Sequence, residues 1–222
     1  MGLGEDIAEV YDLGSSVTIV NRVPIITGGK ILYDINTQST KPFVQEHQLD
    51  ATFPYNTVIV SGDVLNITES GFNYMVMNKT PEMFEDEIVE WSVVLYKCNL
   101  PATTHILRPV EVRNSQTKKM TEGWNIIYDS PIYGLLTDRI AGSALQEDSK
   151  AGQFLVWKLD LYVPKSYELK PLDRLIVHHN EFYKVDRKQG YSFPEVDVWM
   201  LVEDTRPRST VLDEELYLYD EY

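Results

Sequence analysis

Short apolar runs separated by turn-forming residues make up most of the chain after Val17. In residues 74–79, successive side chains would face opposite sides of a sheet, which is the period of a strand with two unlike faces. Glycine pairs, Asp-led turns and Ser-Gly steps separate such runs. The pattern predicts strands in the apolar runs of residues 17–31 and at residues 57–60, 64–68, 74–79, 88–97, 106–112, 124–128, 154–163, 175–177, 182–185 and 196–202.

Helical spacing is confined to two short segments. Ile7, Val10 and Tyr11 share one helical face, which predicts a helix over residues 5–12 that Gly14 ends. A second short helix is predicted at residues 137–144.

The chain resembles itself at a shift of 110 residues, which carries Leu49 to Leu159. Five of the seventeen positions in residues 49–65 are identical in residues 159–175, and a one-residue slip extends the match to Tyr183, Val185 and Phe193. The identities are Leu49 and Leu159, Asp50 and Asp160, Pro54 and Pro164, Asp63 and Asp173, and Leu65 and Leu175. The paired prolines are expected at strand ends, and the paired aspartates are expected to bond their own turn backbone.

A tandem duplication explains 222 residues as two units of about 110. We predict an all-β protein with two related small β-barrels or sandwiches and a short N-terminal helix. The predicted divisions are an N-terminal unit over residues 1–112, a C-terminal unit over residues 113–210, and an acidic C-terminal arm over residues 211–222. The arm is interpreted either as a frayed end or as a segment that docks on a neighbouring subunit by its Leu and Tyr side chains.

The net charge and the cysteine content limit the classes of protein to which this chain can belong. A formal charge of −14 disfavours binding to nucleic acid phosphates, and the densest basic stretch, with Arg113, Lys118 and Lys119, is interpreted as a solvated loop. Cys98 is the single cysteine, so no intrachain disulfide is expected. Neither a signal peptide nor an apolar run of about 18 residues is present, so we expect a soluble protein made in a reducing cytoplasm.

A search for reactive residues predicts no catalytic, cofactor-binding or metal-binding site. Cys98 is expected to be a packing residue, and the adjacent His178 and His179 would face opposite sides of a strand. His47 and His105 fit no metal-ligand spacing, and Gly28-Gly29-Lys30 lacks the remaining residues of a phosphate-binding loop. The carboxylates of residues 85–87 are interpreted as a solvated acidic turn. We therefore expect no enzyme and no cofactor.

Two segments resemble neck-region virion proteins of tailed bacteriophages. They are YMVMNKTPEMFEDEIVEWSVVLYKC, residues 74–98, and DRLIVHHNEFYKVDRKQGYSFPEVDVWMLVEDTRP, residues 173–207. The second contains an Asp-led strand at 173–177, a Tyr-x-Val strand at 183–185 and an Asp-x-Arg-Pro ending at 204–207. The usual small stopper protein of this kind has one unit, whereas this chain carries two.

The resemblance implies a structural protein of the phage neck, assembled in the host cytoplasm as a ring of identical copies. Such a ring would join portal or adaptor proteins to tail-terminator-type proteins, help close the DNA channel, and let genomic DNA pass without sequence-specific binding or a membrane. A tail-completion or baseplate component is the alternative within this class. A carbohydrate-binding β-sandwich is the alternative outside it, with Trp91, Trp124, Trp157 and Trp199 as candidate stacking residues. A cell-wall hydrolase acting through Glu85, Asp86 and Glu87 is the third interpretation.

Overall fold

The computed structural model describes residues 3–35, 47–113, 118, 120–129, 131–137, 158–178, 181–190 and 193–206. A short helix comes first in this part of the chain, and antiparallel strands make up most of the remainder. The elements are α1 (Leu3–Val10), β1 (Ser15–Ile19), β2 (Ile26–Ile35), β3 (Gln48–Pro54), β4 (Val64–Ile67), β5 (Asn73–Phe84), β6 (Glu87–Lys97), β7 (His105–Arg113), β8 (Met120–Tyr128), β9 (Leu135–Thr137), β10 (Lys158–Pro164), β11 (Arg174–His178), β12 (Glu181–Lys188) and β13 (Val196–Glu203). The predicted all-β class is confirmed.

The predicted N-terminal helix is also present. A one-turn 3₁₀ helix over Tyr11–Leu13 follows α1, and the Gly14 backbone N–H donates to the Tyr11 carbonyl at 2.8 Å. An added Cβ on Gly14 would lie 2.5 Å from the Ile31 carbonyl oxygen, so only glycine allows β2 to approach this closely. The buried Tyr11 side chain holds the segment against β6 by a 2.7 Å hydrogen bond to Glu90.

The first unit is a closed six-stranded barrel in the order β1-β2-β3-β6-β5-β4. Strand β2 closes it, since its first half pairs with β1 and its last four residues pair with β3. The barrel interior holds apolar side chains from every strand, including Phe53, Leu65 and Leu95, which are fully buried.

The second unit is a seven-stranded antiparallel sheet in the order β8-β7-β11-β12-β13-β10-β9. The order of neighbouring strands in this sheet repeats that of the barrel. The corresponding strands of the second unit are β7, β8, β10, β11, β12 and β13, which match β1, β2, β3, β4, β5 and β6 in turn. The register agrees too, because Asp50 to Thr52 pair with β2 as Asp160 to Tyr162 pair with β9. One long strand of the first unit, β2, therefore corresponds to two shorter strands of the second, β8 and β9.

The division between the two sheets lies ahead of the predicted boundary at residue 112. Strand β7 belongs to the second sheet, because Ile106 and Leu107 pair with Leu175 and Arg174 of β11. The connection between the sheets is the segment between Lys97 and His105. The predicted C-terminal arm, residues 211–222, lies outside the described residues.

Three further predictions differ from the structure or reach beyond the described residues. Residues 57–60 form a loop and not a strand. Thr137 ends strand β9, whereas the rest of the helix predicted at 137–144 lies outside the described residues. The early part of the strand predicted at 154–163 is also outside them, and β10 begins at Lys158.

An apolar contact joins the two units. Strand β5 turns Tyr74 and Val76 into its own barrel, and it turns Met75 and Met77 outward against Tyr162, Val196 and Val198 of the second unit. The rings of Tyr96 and Tyr162 meet edge to face with centroids 5.9 Å apart. Both faces of β5 are thus buried along residues 74–77.

Candidate functional site

A buried aspartate organises one turn of the first unit. The Asp63 carboxylate accepts two hydrogen bonds from the Arg22 guanidinium, at 2.7 and 2.6 Å, and one from the Val60 backbone N–H at 2.7 Å. The same guanidinium donates to the Val58 carbonyl. Asp63 is 3% exposed, so these partners replace the water that the charge loses on folding.

The same arrangement recurs in the second unit. Asp173, which is fully buried, accepts two 2.8 Å hydrogen bonds from Arg108 and one from the Lys170 backbone N–H at 2.8 Å. Arg108 also donates to the Glu168 carbonyl, at the position that a shift of 110 gives from Val58. The expectation that the paired aspartates bond their own turn backbone is therefore confirmed.

These contacts explain why residues 57–60 are not a strand. Their backbone polar groups are taken by side chains: Val58 O by Arg22, Ile59 O by Lys79 at 2.7 Å, and Val60 N by Asp63. Backbone groups that bond to side chains in this way do not need a strand neighbour. The hydrophobic pattern of the segment arises because Ile59 enters the barrel core, as Leu169 enters the core of the second unit.

A third charged cluster lies where the Asp-x-Arg-Pro ending begins. The Asp204 carboxylate, 1% exposed, accepts hydrogen bonds from Arg174 at 2.6 Å and from Arg206 at 2.7 and 2.8 Å. Burial alone would raise the pKa of Asp204, but the hydrogen bonds from Arg206 and Arg174 outweigh it and hold that pKa well below its usual range. The Arg174 guanidinium lies 3.9 Å from the centre of the Trp124 ring. These contacts fasten the end of β13 to β11.

The tryptophans proposed as sugar-stacking residues are mostly enclosed. Trp124 and Trp199 are 3% and 5% exposed. Trp91 is partly exposed, its indole N–H donates to the Tyr55 carbonyl at 3.0 Å, and the Lys79 ammonium lies 4.1 Å from its ring centre. Trp157 lies outside the described residues. Among the three that are described, none offers a fully open ring face of the kind that stacks on a sugar.

The carboxylates of residues 85–87 form the tip of a hairpin. Strands β5 and β6 pair as far as Phe84 and Glu87, and Glu85 and Asp86 form the two-residue turn with φ values of 48° and 67°. All three carboxylates are exposed on this projecting turn. A glycosidase needs two acids facing each other across a cleft, and this arrangement is not one.

The predicted packing role of Cys98 agrees with its surroundings. It packs against the cluster that joins the two units, its backbone N–H donates to the Asn73 carbonyl, and burial raises the pKa of its thiol to about 12. A thiol with such a pKa is protonated at neutral pH and is a poor nucleophile.

His47, His105 and the adjacent pair His178 and His179 lie in three separate parts of the sequence. His105 pairs with Asp129 at 2.8 Å, whereas His179 lies outside the described residues. Throughout the part of the chain that the structure describes, no three His, Cys, Asp or Glu side chains are grouped so that they could hold a metal ion. In the same residues, no helix has the length and apolar character needed to cross a bilayer.

A cleft of about 500 Å³ opens between α1 and one end of the first barrel. Its floor is formed by core residues including Val17, Ile19 and Ile59, and Glu5, Glu9, Asp12 and Lys30 line its sides. The cleft therefore has an apolar floor and mainly acidic sides. Among the described residues, no group of side chains that could hold a metal ion lies in it.

Three exposed apolar side chains lie close together at the end of the β5–β6 hairpin. We call residues 80–90 the β5–β6 arm. Beyond Met75, strand β5 has no other strand beside it than β6 among the described residues. Met83 is 58% exposed, Phe84 53% and Ile88 37%. Met83 and Ile88 lie directly opposite each other on the two strands, so they share one face.

Comparisons with known proteins do not assign the chain to a family. No protein-family model matches the chain, and no match is found among curated proteins or solved structures.

Proposed function

We propose that this chain is a structural virion protein of the tailed-bacteriophage neck, which assembles into a ring of identical copies between the portal and the tail. The alternative within the proposal is a tail-completion or baseplate ring. The proposal rests on one contrast. The buried aspartates and their arginine partners hold turns within each unit, whereas the large apolar side chains of the β5–β6 arm are exposed to solvent.

The residues that carry the family resemblance have structural roles, which supports the proposal. Asp173 and Asp204 each accept bonds from arginines that fasten neighbouring segments together. Phe84, in the first resembling segment, lies at the end of the arm. A protein that acts through contact area, and not through a reaction, needs exposed apolar side chains of this kind.

The charge distribution also supports passage of DNA without retention. Residues 1–100 carry 14 Asp and Glu against 5 Lys and Arg, whereas residues 101–206 carry 15 against 14. An acidic first unit that faces the channel would repel the phosphates of passing DNA, and DNA would not bind to the wall.

The test is whether the protein assembles and where it is found. We expect light scattering of the purified chain, or of the chain mixed with its portal, to detect an oligomer, and electron microscopy to show rings. We expect antibody labelling of tailed particles whose genome encodes the chain to mark the neck. A chain that stays monomeric under all these conditions and is missing from the particles contradicts the proposal.

A further inference from the structure

One turn of each unit gives the first argument about a partner. We call residues 60–63 the first-unit turn and residues 170–173 the second-unit turn. In the first, Gly62 lies against the other unit, since an added Cβ would be 2.7 Å from the Glu195 carbonyl oxygen. Leu172 occupies the position that a shift of 110 gives from Gly62, and it is 54% exposed. The same turn is therefore a contact between units in one case and uncovered in the other.

The second-unit turn presents its leucine from a rigid backbone. Leu172 has a φ of 76°, in the left-handed region that costs a leucine free energy. Its N–H donates to the Val185 carbonyl at 2.8 Å, and its carbonyl accepts from the Arg206 guanidinium at 3.1 Å. These bonds fix the backbone on both sides of the exposed side chain. A strained backbone that presents an apolar side chain to solvent is a feature expected at a contact surface.

The repeat also indicates where the partner surface lies. The Glu195 carbonyl, which the first-unit turn approaches, accepts a 3.0 Å hydrogen bond from the N–H of Lys165, and Lys165 directly follows Pro164. Pro54 is the repeat counterpart of Pro164, and it lines the cleft beside α1. If a second copy repeats the arrangement that joins the two units, its second-unit turn comes to this cleft.

The cleft has the chemistry to receive an apolar side chain with a cation beside it. Its floor is apolar, and no Lys or Arg occurs in residues 1–21, which include α1. Lys30 also lines the cleft, and its ammonium donates to the Gly14 carbonyl at 3.2 Å. The carboxylates along the sides are those of Glu5, Glu9 and Asp12.

The charge of the second-unit turn is complementary to that of the cleft. Lys170 is exposed beside the leucine. Arg174 and Arg206, which lie next to the turn, share the single Asp204 carboxylate, so one positive charge of this cluster is not neutralised within it. The exposed Glu168 offsets one of these positive charges, and that of Lys170 remains. Opposite charges on two surfaces favour their association and fix their orientation.

We propose that the second-unit turn of one copy docks in the cleft beside α1 of the next copy, with Leu172 over the apolar floor and Lys170 among the carboxylates. The inference rests on the proposed function, because it names the contact that links neighbours in the ring. The two contacting surfaces differ, so the contact is head to tail, and such contacts close into rings when the rotation between copies permits.

The variant Leu172→Gly separates the contact from the stability of the fold. Glycine adopts a φ of 76° without strain, so the melting temperature, measured at a concentration where the chain is monomeric, should not fall. Sedimentation velocity should show self-association weakened at least about tenfold, because the buried leucine is lost. Phe72→Ser is the matched control: Phe72 is 49% exposed under the Lys97 ammonium, and its loss should leave association within about twofold of wild type.

The electrostatic side is tested by exchanging charges. Lys170→Glu should weaken association, and so should Glu9→Lys in the cleft. The protein that carries both changes should associate within about threefold of wild type, since opposite charges again face each other. Asp6→Lys is the matched control, because Asp6 is exposed on the same helix but does not line the cleft. It changes the net charge equally and should not rescue Lys170→Glu.

A cross-link locates the contact directly. Val58 lines the cleft and is 58% exposed. When a Leu172→Cys protein is mixed with a Val58→Cys protein under a mild oxidant, a disulfide-linked pair should form between the two variants, because a disulfide requires close approach of the two residues. Leu172→Cys mixed with Phe72→Cys should not give this pair. Cys98 remains in all variants, since its thiol is protonated at neutral pH.

The outcomes separate this inference from the proposed function. If the wild type assembles and Leu172→Gly assembles equally well, or if the exchanged charges fail to restore association, the contact is wrong while the ring can stand. If Glu9→Lys weakens association and Leu172→Gly does not, another segment occupies the cleft, and the contact is equally wrong. If the wild type never assembles and is absent from the particles, the proposed function fails, and this contact fails with it.

Discussion

Asp63 and Asp173 show how one residue sets the path of a turn. Each carboxylate binds an arginine from a strand or loop far away in sequence and a backbone N–H three residues earlier. The backbone carbonyl of each aspartate also accepts a hydrogen bond from the second strand that follows it, from the Val76 N–H of β5 in one unit and from the Val185 N–H of β12 in the other. The recurrence of aspartate at these positions was readable from the sequence, but the arginine partners were not, because Arg22 and Arg108 are not related by the 110-residue shift.

Replacing the buried aspartates should therefore be costly. We expect Asp173→Asn to lower the free energy of unfolding by about 2–4 kcal/mol, because an amide NH₂ would replace an oxygen that accepts from two donors. Asp63→Asn should act similarly in the first unit. Urea unfolding followed by fluorescence measures both. The control is Asp86→Asn at the exposed hairpin turn, expected within about 0.5 kcal/mol of wild type. Equal effects at Asp173 and Asp86 would contradict the role assigned to the buried pair.

The lowered pKa of Asp204 makes a further prediction about acid stability. An unfolded Asp titrates near pH 3.9, whereas Asp204 in the folded protein remains ionised at lower pH. The stability it contributes is thus fully present above about pH 4 and is lost as the pH falls toward the folded pKa. We expect Asp204→Asn to be less stable than wild type at pH 7, and this gap to narrow at pH 3. Urea unfolding at the two pH values tests it, and a gap that widens in acid would refute the assignment.

At the scale of elements, the alternation of apolar and polar residues predicted most strands, because each barrel strand turns one face toward a core. Strands β4, β6, β11, β12 and β13 lie within a few residues of their predicted bounds. The pattern failed at residues 57–60, where side chains take the backbone polar groups. It also missed the full length of β5, because an exposed arm has no buried face to impose a period.

The turn of the β5–β6 arm offers a test of that element. Glu85 and Asp86 both have positive φ values, which cost non-glycine residues free energy, and Asn-Gly is the preferred pair for such a two-residue turn. We expect Glu85→Asn with Asp86→Gly to stabilise the protein by about 0.5–1.5 kcal/mol, as thermal unfolding would show. Glu85→Gln with Asp86→Ala removes the same charges but keeps the strain, and it should not stabilise. If both pairs raise the melting temperature alike, charge and not backbone strain explains the gain.

At the scale of the whole molecule, the duplication was visible in five identities, but the joining of the units was not. Met75 and Met77 looked like the second face of an ordinary strand, and only the structure shows that the other unit covers them. The position of the division has a related explanation: the strand predicted at residues 106–112 was assigned to the first unit, while Ile106 and Leu107 pair with β11 of the second. Pairing between distant segments cannot be read from the local pattern of either one.

The contact between the units makes the last prediction. Gly62 has a φ of 85°, and an added Cβ would lie 2.7 Å from the backbone oxygen of Glu195, which precedes β13 in the other unit. Gly71 has a φ of 69° with open space around it. Gly71→Ala should therefore cost only the strain of its backbone, about 1 kcal/mol, whereas Gly62→Ala should cost about 1–3 kcal/mol more, because Glu195 must move.

Hydrogen exchange distinguishes a displaced contact from strain alone. In Gly62→Ala, the amides of Val196 and Val198, in the cluster that joins the units, should exchange faster than in wild type. In Gly71→Ala they should be unchanged, although the turn at residue 71 is strained in the same way. If the two variants lose equal stability and protect the start of β13 equally, the two units do not depend on this contact, and the apolar cluster around Met75 and Met77 holds them together without it.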